Sequence, residues 1–245
     1  MRLSIKPSIC TIIAILAFPQ VTFAASKTLL VGGFQDIVID GDMQVVVVTG
    51  KTPSGTATGD LRMLDRLRLE RQSDAITVRM QRPPSNDNAV RITEPLIVTI
   101  STRSLRNIVL RGNAKLKVNA VSQYDGSRIY LDGGGEINID QLKADTLDVT
   151  LSGQGKLRIS GGTARASNVL IQGASVYDAA NLKTRSLMLN QNGNATSSAQ
   201  VEEGATISNE GAGNITITGR AECFIRKAGF AVISCPSDKK RSRSN

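Results

Sequence analysis

Histidine and tryptophan are missing from the chain altogether, and phenylalanine, tyrosine and tryptophan together make up only 3% of it. Without histidine there is no serine or cysteine triad built on an imidazole base, and no zinc centre that depends on one. Cysteine is also scarce, with three in 245 residues. Two of these, Cys223 and Cys235, lie near the C-terminus and cannot by themselves supply the four soft ligands of a structural zinc site. Phosphate-binding loops of the Walker type are absent, and the glycine pairs lack the third glycine and following helix of a dinucleotide fingerprint. The glycine-rich calcium nonapeptide is missing too. No cofactor is expected. Proline does not occur between Pro95 and Pro236, so nothing in that span interrupts a hydrogen-bonded strand ladder.

No apolar run is long enough to cross a bilayer, which takes about 20 residues. The longest, Ile9 to Phe18, follows Arg2 and Lys6 and precedes Thr22-Phe23-Ala24. That order of basic, apolar and small residues is read as a secretory signal peptide spanning 1–24 and cleaved after Ala24. Cys10 would leave with it, and Cys223 and Cys235 would form the single pair of an exported protein, where oxidation to a disulfide is favoured. The expectation is therefore a periplasmic, secreted or surface protein with no transmembrane anchor after cleavage. The formal charge of +9 falls to +7 when Arg2 and Lys6 are removed. Lys239, Lys240, Arg241 and Arg243 carry four of those charges in the last seven residues. The basic balance is thus largely a property of a C-terminal tail, 236–245, expected to be disordered, and indicates no specific nucleic-acid partner.

What is present is a repeat. "NIVLRGNAKLKV" from 107, "RIYLDGGGEINI" from 128, "DVTLSGQGKLRI" from 148 and "NVLIQGASVYDA" from 168 share one form, and "SLMLNQNGNATS" from 186 and "TISNEGAGNITI" from 206 are weaker copies. Their first aliphatic positions, Ile108, Ile129, Val149, Val169, Leu187 and Ile207, recur at intervals of 21, 20, 20, 18 and 20. A fixed period of this size marks a solenoid. Alternation within each copy has the two-residue period of a strand, and the glycines separate two such arms at a corner that needs positive φ or close backbone approach. Val121, Leu142 and Leu182 return 13 residues after the first inward position, implying a third inward side. The reading is all-β: a parallel β-helix of about 20-residue coils over 96–235, preceded over 25–95 by hairpin-like strands or irregular opening coils that close the N-terminal end. Arg82 to Asn88 reads as a loop. Cys223 and Cys235 share the parity of Ala231 and Ile233, so a disulfide is expected to pin the last coil.

Stacking the copies predicts outer rows. Lys115, Glu136 and Lys156 would alternate in sign, and Arg111 would lie against Asp132. Val109, Tyr130, Thr150, Leu170 and Met188 would form an outward, mostly apolar strip. Such a strip suits a contact with a partner if exposed, and coverage by the N-terminal segment is the expected alternative. β-helices can also carry carboxylate pairs that cleave sugars. Asp132, Glu136, Asp140, Asp145 and Asp148 are the one dense acidic region, but the register spreads them over different sides and sets them beside Lys115, Lys143 and Lys156. A polysaccharide lyase or glycoside hydrolase is kept as the alternative to a non-catalytic binding module.

From "GFQDIVIDGDMQVVVV" through "LDRLRLERQSDAITVRM" and "LRNIVLRGNAKLKV" to the corners at Gly133, Gly153 and Gly211, the chain resembles the head GIN domain family of bacterial auto-transporter adhesins. The resemblance implies a right-handed β-helix similar to pectin lyases without their catalytic residues, and a role in adhesion; envelope glycans or surface proteins are the expected partners. The family supplies no functional residues to carry over. An auto-transporter needs a C-terminal membrane barrel and ten residues follow Cys235, so attachment to the envelope is expected to be peripheral.

Overall fold

Alternating β-branched and leucine side chains, uninterrupted by proline, favour extended backbone that must find ladder partners. In the computed structural model, which describes residues 25–82, 94–227 and 229–236, the partners are successive turns of the same chain. The leader, residues 83–88 of the expected loop and the tail beyond Pro236 lie outside the described residues. The elements in chain order are β1 (Ala25–Leu29), β2 (Asp36–Gly41), β3 (Gln44–Thr49), β4 (Ser54–Gly59), α1 (Leu61–Arg66), β5 (Leu67–Gln72), β6 (Ala75–Met80) and β7 (Ile97–Thr102). There follow β8 (Asn107–Gly112), β9 (Lys115–Gly133), β10 (Glu136–Gly153), β11 (Lys156–Ile159), β12 (Gly162–Gly173) and β13 (Val176–Gly193). The last are β14 (Thr196–Asn209), β15 (Asn214–Gly219), β16 (Glu222–Lys227) and β17 (Val232–Ser234).

From β8 onward every pairing among the described residues is parallel, and each coil but the last bonds to the coils on either side of it. The result is a β-solenoid of about 6 turns. On the first arm, Ile37, Ile108, Ile129, Val149, Val169, Leu189 and Ile207 lie in one buried column. On the second arm, Val45, Leu116, Ile137, Leu157 and Tyr177 do the same. Burial pushes the Tyr177 hydroxyl above the ordinary phenol range. The third side is present as expected: Val121, Leu142 and Leu182 are buried, and Gly162 occupies the same column in the coil between the last two.

The weak fifth copy is placed two residues differently from its sequence alignment. Val169 pairs with Leu189, not Leu187, and Leu189 pairs with Ile207. The short interval of 18 therefore falls one coil later than the aliphatic pattern suggests. The reason is that Leu187 is also inward, below Ser167, so both leucines satisfy the two-residue period and only the ladder tells them apart.

At the N-terminal end the strands take both expected forms. β4 runs antiparallel to β7 and β1, and β5 antiparallel to β6. β2 and β3, however, form a regular two-arm coil. They lie between the β6–β7 coil and the β8–β9 coil, parallel to both. "DIVIDGDMQVVV" is thus a further copy of the repeat, separated from the next by an inserted coil and its cap. Asp60 caps α1 by accepting a bond from the Arg62 N–H at 2.9 Å. Leu64 of this helix and Leu67 just after it are buried in the core cluster, which closes the end against water.

The glycine corners also stack. Gly133, at φ +118°, lies over Gly112 so closely that an added Cβ would come within 2.6 Å of the Gly112 carbonyl oxygen. Positive φ and backbone packed on backbone both demand glycine here.

Candidate functional site

Between the third side and the first arm the chain bends and ladder pairing is interrupted: Asp145, Arg165 and Arg185 each occupy a skipped position on successive coils, with two skipped residues on the flanking coils, Tyr124 and Asp125 before them and Glu202 and Glu203 after. The side chains of Asp145, Arg165 and Arg185 leave the sheet outward and line an open groove of about 520 Å³. Tyr124 stands near its N-terminal side, 87% exposed. Lys143 lies 5.8 Å from the centre of that ring, close enough for a cation–π contact. Thr163 and Lys183 continue the row of Lys143 on the next two coils, at the coil rise of about 4.8 Å.

The remaining charges neutralise one another. Arg165 grips Asp145 with two bonds of 2.5 and 2.6 Å. Arg185 meets Glu203 at 3.5 Å, and Arg220 meets Glu202 at 3.0 Å. The bonds from Arg165 hold the Asp145 carboxyl below its usual range, so it stays ionised near neutral pH and is poorly suited to donate a proton. Lys143 and Lys183 are the cations of the groove that form no ion pair among the described residues. Groups of three or more acidic or cysteine side chains able to hold a metal ion are absent among those residues.

The sequence-derived candidates fall elsewhere. Cys223 and Cys235 are joined in a disulfide with Cα atoms 6.5 Å apart, pinning β16 to the end of β17. Val109, Tyr130, Thr150 and Leu170 do form one outward row. Met188 is not in it: the two-residue change of register sets Asn190 beside Leu170 and moves Met188 to the neighbouring row with Asn168, Thr206 and Phe224. Nor is the strip covered as expected. The N-terminal strands extend the solenoid along its axis, leaving Leu170 38% exposed, Val109, Tyr130 and Thr150 half-buried, and Met188 on the adjoining row 51% exposed.

The acidic residues spread over different sides in the expected register, with Glu136 between Lys115 and Lys156 and Asp132 beside Arg111. None of those pairs closes to an ion pair among the described residues, and Asp145 takes Arg165 in place of Lys143. The groove itself was missed, although a signal was present. Asp145, Arg165 and Arg185 recur at 20 residues, as do Lys143, Thr163 and Lys183. Charged side chains carry no inward–outward alternation, so this period is invisible unless the aliphatic register has already been imposed.

A model of the family described as "putative auto-transporter adhesin, head GIN domain" matches residues 33–221. The chain belongs to this family. A search of curated proteins finds no match. Among solved structures, the head GIN chain is similar to a putative adhesin from Bacteroides fragilis, with a TM-score of 0.77 and 18% identity over 87% of this chain and 97% of that one. A putative lipid binding protein from Parabacteroides distasonis gives 0.65 and 15% over 87% and 97%. A putative adhesin from Parabacteroides merdae gives 0.60 and 16% over 87% and 96%. At these identities the likeness speaks for the shared solenoid. No helix among the described residues is long and apolar enough to cross a membrane.

Proposed function

We propose that the protein is a non-catalytic, exported adhesion module of the cell envelope that uses its bend groove to hold an extended, anionic envelope glycan. The observation that carries this reading is the row of Lys143, Thr163 and Lys183, in which two cations that form no ion pair among the described residues lie along the solenoid axis beside the exposed ring of Tyr124. A linear polymer laid along that axis meets equivalent outward positions about every 4.8 Å. The ring offers a flat face for a sugar, and the ammonium groups face its carboxylates, phosphates or sulfates. Membership of an adhesin family and similarity to adhesins support the binding role. The disulfide fits an oxidising, extracytoplasmic compartment.

A sugar-cleaving enzyme fits less well, because each carboxylate of the groove is held in an ion pair with an arginine, and Arg165 keeps the Asp145 carboxyl below its usual range, away from the raised value that an acid catalyst needs. The outward strip of Val109, Tyr130 and Leu170, with Met188 on the adjoining row, is proposed as a second contact surface, for a surface protein.

The test is retention of the protein on immobilised envelope glycans, with analysis of the eluate for new reducing or unsaturated ends. Retention without cleavage is expected, and Tyr124→Ala combined with Lys143→Gln and Lys183→Gln should weaken it at least roughly tenfold, since each removed contact is worth about 1 kcal/mol. Release of cleaved sugar, or retention indifferent to all three substitutions, would overturn the proposal.

A further inference from the structure

The ammonium groups of the bend groove do not stand on every coil. Just beyond the buried third side, ladder pairing sets Ser122 beside Lys143, Lys143 beside Thr163, Thr163 beside Lys183 and Lys183 beside Gln200. Along the axis the row therefore runs hydroxyl, ammonium, hydroxyl, ammonium, amide. Ser122, Lys143, Thr163 and Lys183 are exposed, and Gln200 is half-buried. Successive coils rise by about 4.8 Å, so the two lysines branch from the sheet roughly 10 Å apart, with a neutral side chain between them and another on either side.

The arginines of the bend do not fill the gaps. Arg165 lies two residues beyond Thr163, but Asp145 holds its guanidinium through two bonds, and Arg185 is taken up by Glu203. The exposed ring of Tyr124 stands two residues beyond Ser122, on a coil that brings a hydroxyl to the row and no cation. Charge on this wall thus repeats every second coil. A polyanion with a charge opposite every coil would set carboxylates against Ser122, Thr163 and Gln200, partly stripped of water and with no cation to meet.

Resting on the glycan reading above, we infer that the groove selects a polysaccharide with a disaccharide repeat, one acidic and one neutral sugar in each repeat. One pyranose of an extended chain advances by about one coil, so every second sugar falls opposite Lys143 or Lys183. The neutral sugars fall at the levels of Ser122, Thr163 and Gln200, whose hydroxyl and amide groups match sugar hydroxyls as hydrogen-bond partners, and Tyr124 offers its face to the one at the Ser122 level. Thr163 sets the spacing, because it holds the place where a third cation would make the row uniform.

Titration calorimetry of the full, disulfide-bonded protein at one low salt concentration tests this with two acidic probes of equal length. In a hyaluronan octasaccharide glucuronate alternates with a neutral amino sugar, whereas octagalacturonate is acidic at every sugar. The protein should bind the first at least threefold more tightly, although the second carries twice the charge. Thr163→Lys combined with Lys183→Thr keeps the net charge and puts the two cations on adjacent coils. It should weaken binding of the hyaluronan octasaccharide about fivefold, the worth of one exposed ion pair, and bring the two probes within twofold of each other. All three positions are exposed, so these variants are expected to fold. Tighter or equal binding of octagalacturonate by the unaltered protein, or a charge-conserving exchange without effect while Lys143→Gln with Lys183→Gln abolishes binding, would overturn the two-coil spacing and leave the glycan groove standing. Binding indifferent to Lys143→Gln with Lys183→Gln would overturn the groove reading, and the spacing with it.

Discussion

Gly133 shows how a single residue can carry two constraints at once. Its φ of +118° lies where side chains are rarely tolerated, and the space a Cβ would need is already held by the Gly112 carbonyl. Gly153 repeats the arrangement over Gly133, so a displaced corner has neighbours on both sides that cannot move independently. Gly133→Ala is expected to lower the unfolding free energy by about 3 kcal/mol, measured by urea denaturation. An equal substitution at Gly204, where an added Cβ meets nothing within 4 Å, should change it by less than about 0.5 kcal/mol. Similar losses at both positions would mean that the corners are not close-packed.

The last coil, β16 and β17, illustrates what one element needs when, among the described residues, it has a neighbour on one side only. A ladder edge without a partner frays, and the interior here also becomes less apolar: the column of Leu131, Leu151 and Ile171 continues as Gln191 and Asn209. Gln191 is satisfied by Ala195 and Ser197, but the Oδ1 of buried Asn209 has no partner among the described residues. The Cys223–Cys235 bond closes a separation of 12 residues across this coil, worth about 3 kcal/mol by loop closure. Changing both cysteines to serine should speed amide exchange across 222–234 by more than tenfold while leaving the coils from 107 to 173 protected. Uniform loss of protection would show that the bond supports the entire array. The chain order of these strands was readable from alternation alone, but the register of β13 was not, because Leu187 and Leu189 have the same parity and differ only in which upstream residue they meet.

On the scale of the molecule, a solenoid is a sum of coils and their interfaces, and this one should tolerate loss of a complete coil. Gly153 pairs with Gly173, so deleting 154–173 joins two equivalent corners. The shortened protein is expected to keep a β-type circular dichroism spectrum and a cooperative transition, with stability lower by about 2 kcal/mol on the usual per-residue average. Deleting 154–163 alone would join a corner to the third side and should abolish folding. If both deletions behave alike, the coils are not the units of stability.

The aliphatic period of 20, the proline-free span and the glycine corners were enough, by themselves, to determine a parallel solenoid and its three inward sides, and the parity of Cys223 and Cys235 their pairing. The aliphatic and glycine positions are repeated at a nearly fixed sequence distance, and repetition turns a weak local preference into a strong one. Only the tertiary structure decided that β2 and β3 belong within the stack, that Met188 leaves the row of Leu170, and that Tyr124, Lys143 and Lys183 share a groove. Those outcomes depend on ladder bonds across an insertion, on a two-residue choice of register and on a bend where pairing is interrupted. None of the three carries an alternation of apolar and polar side chains, which is the form in which burial writes itself into a sequence.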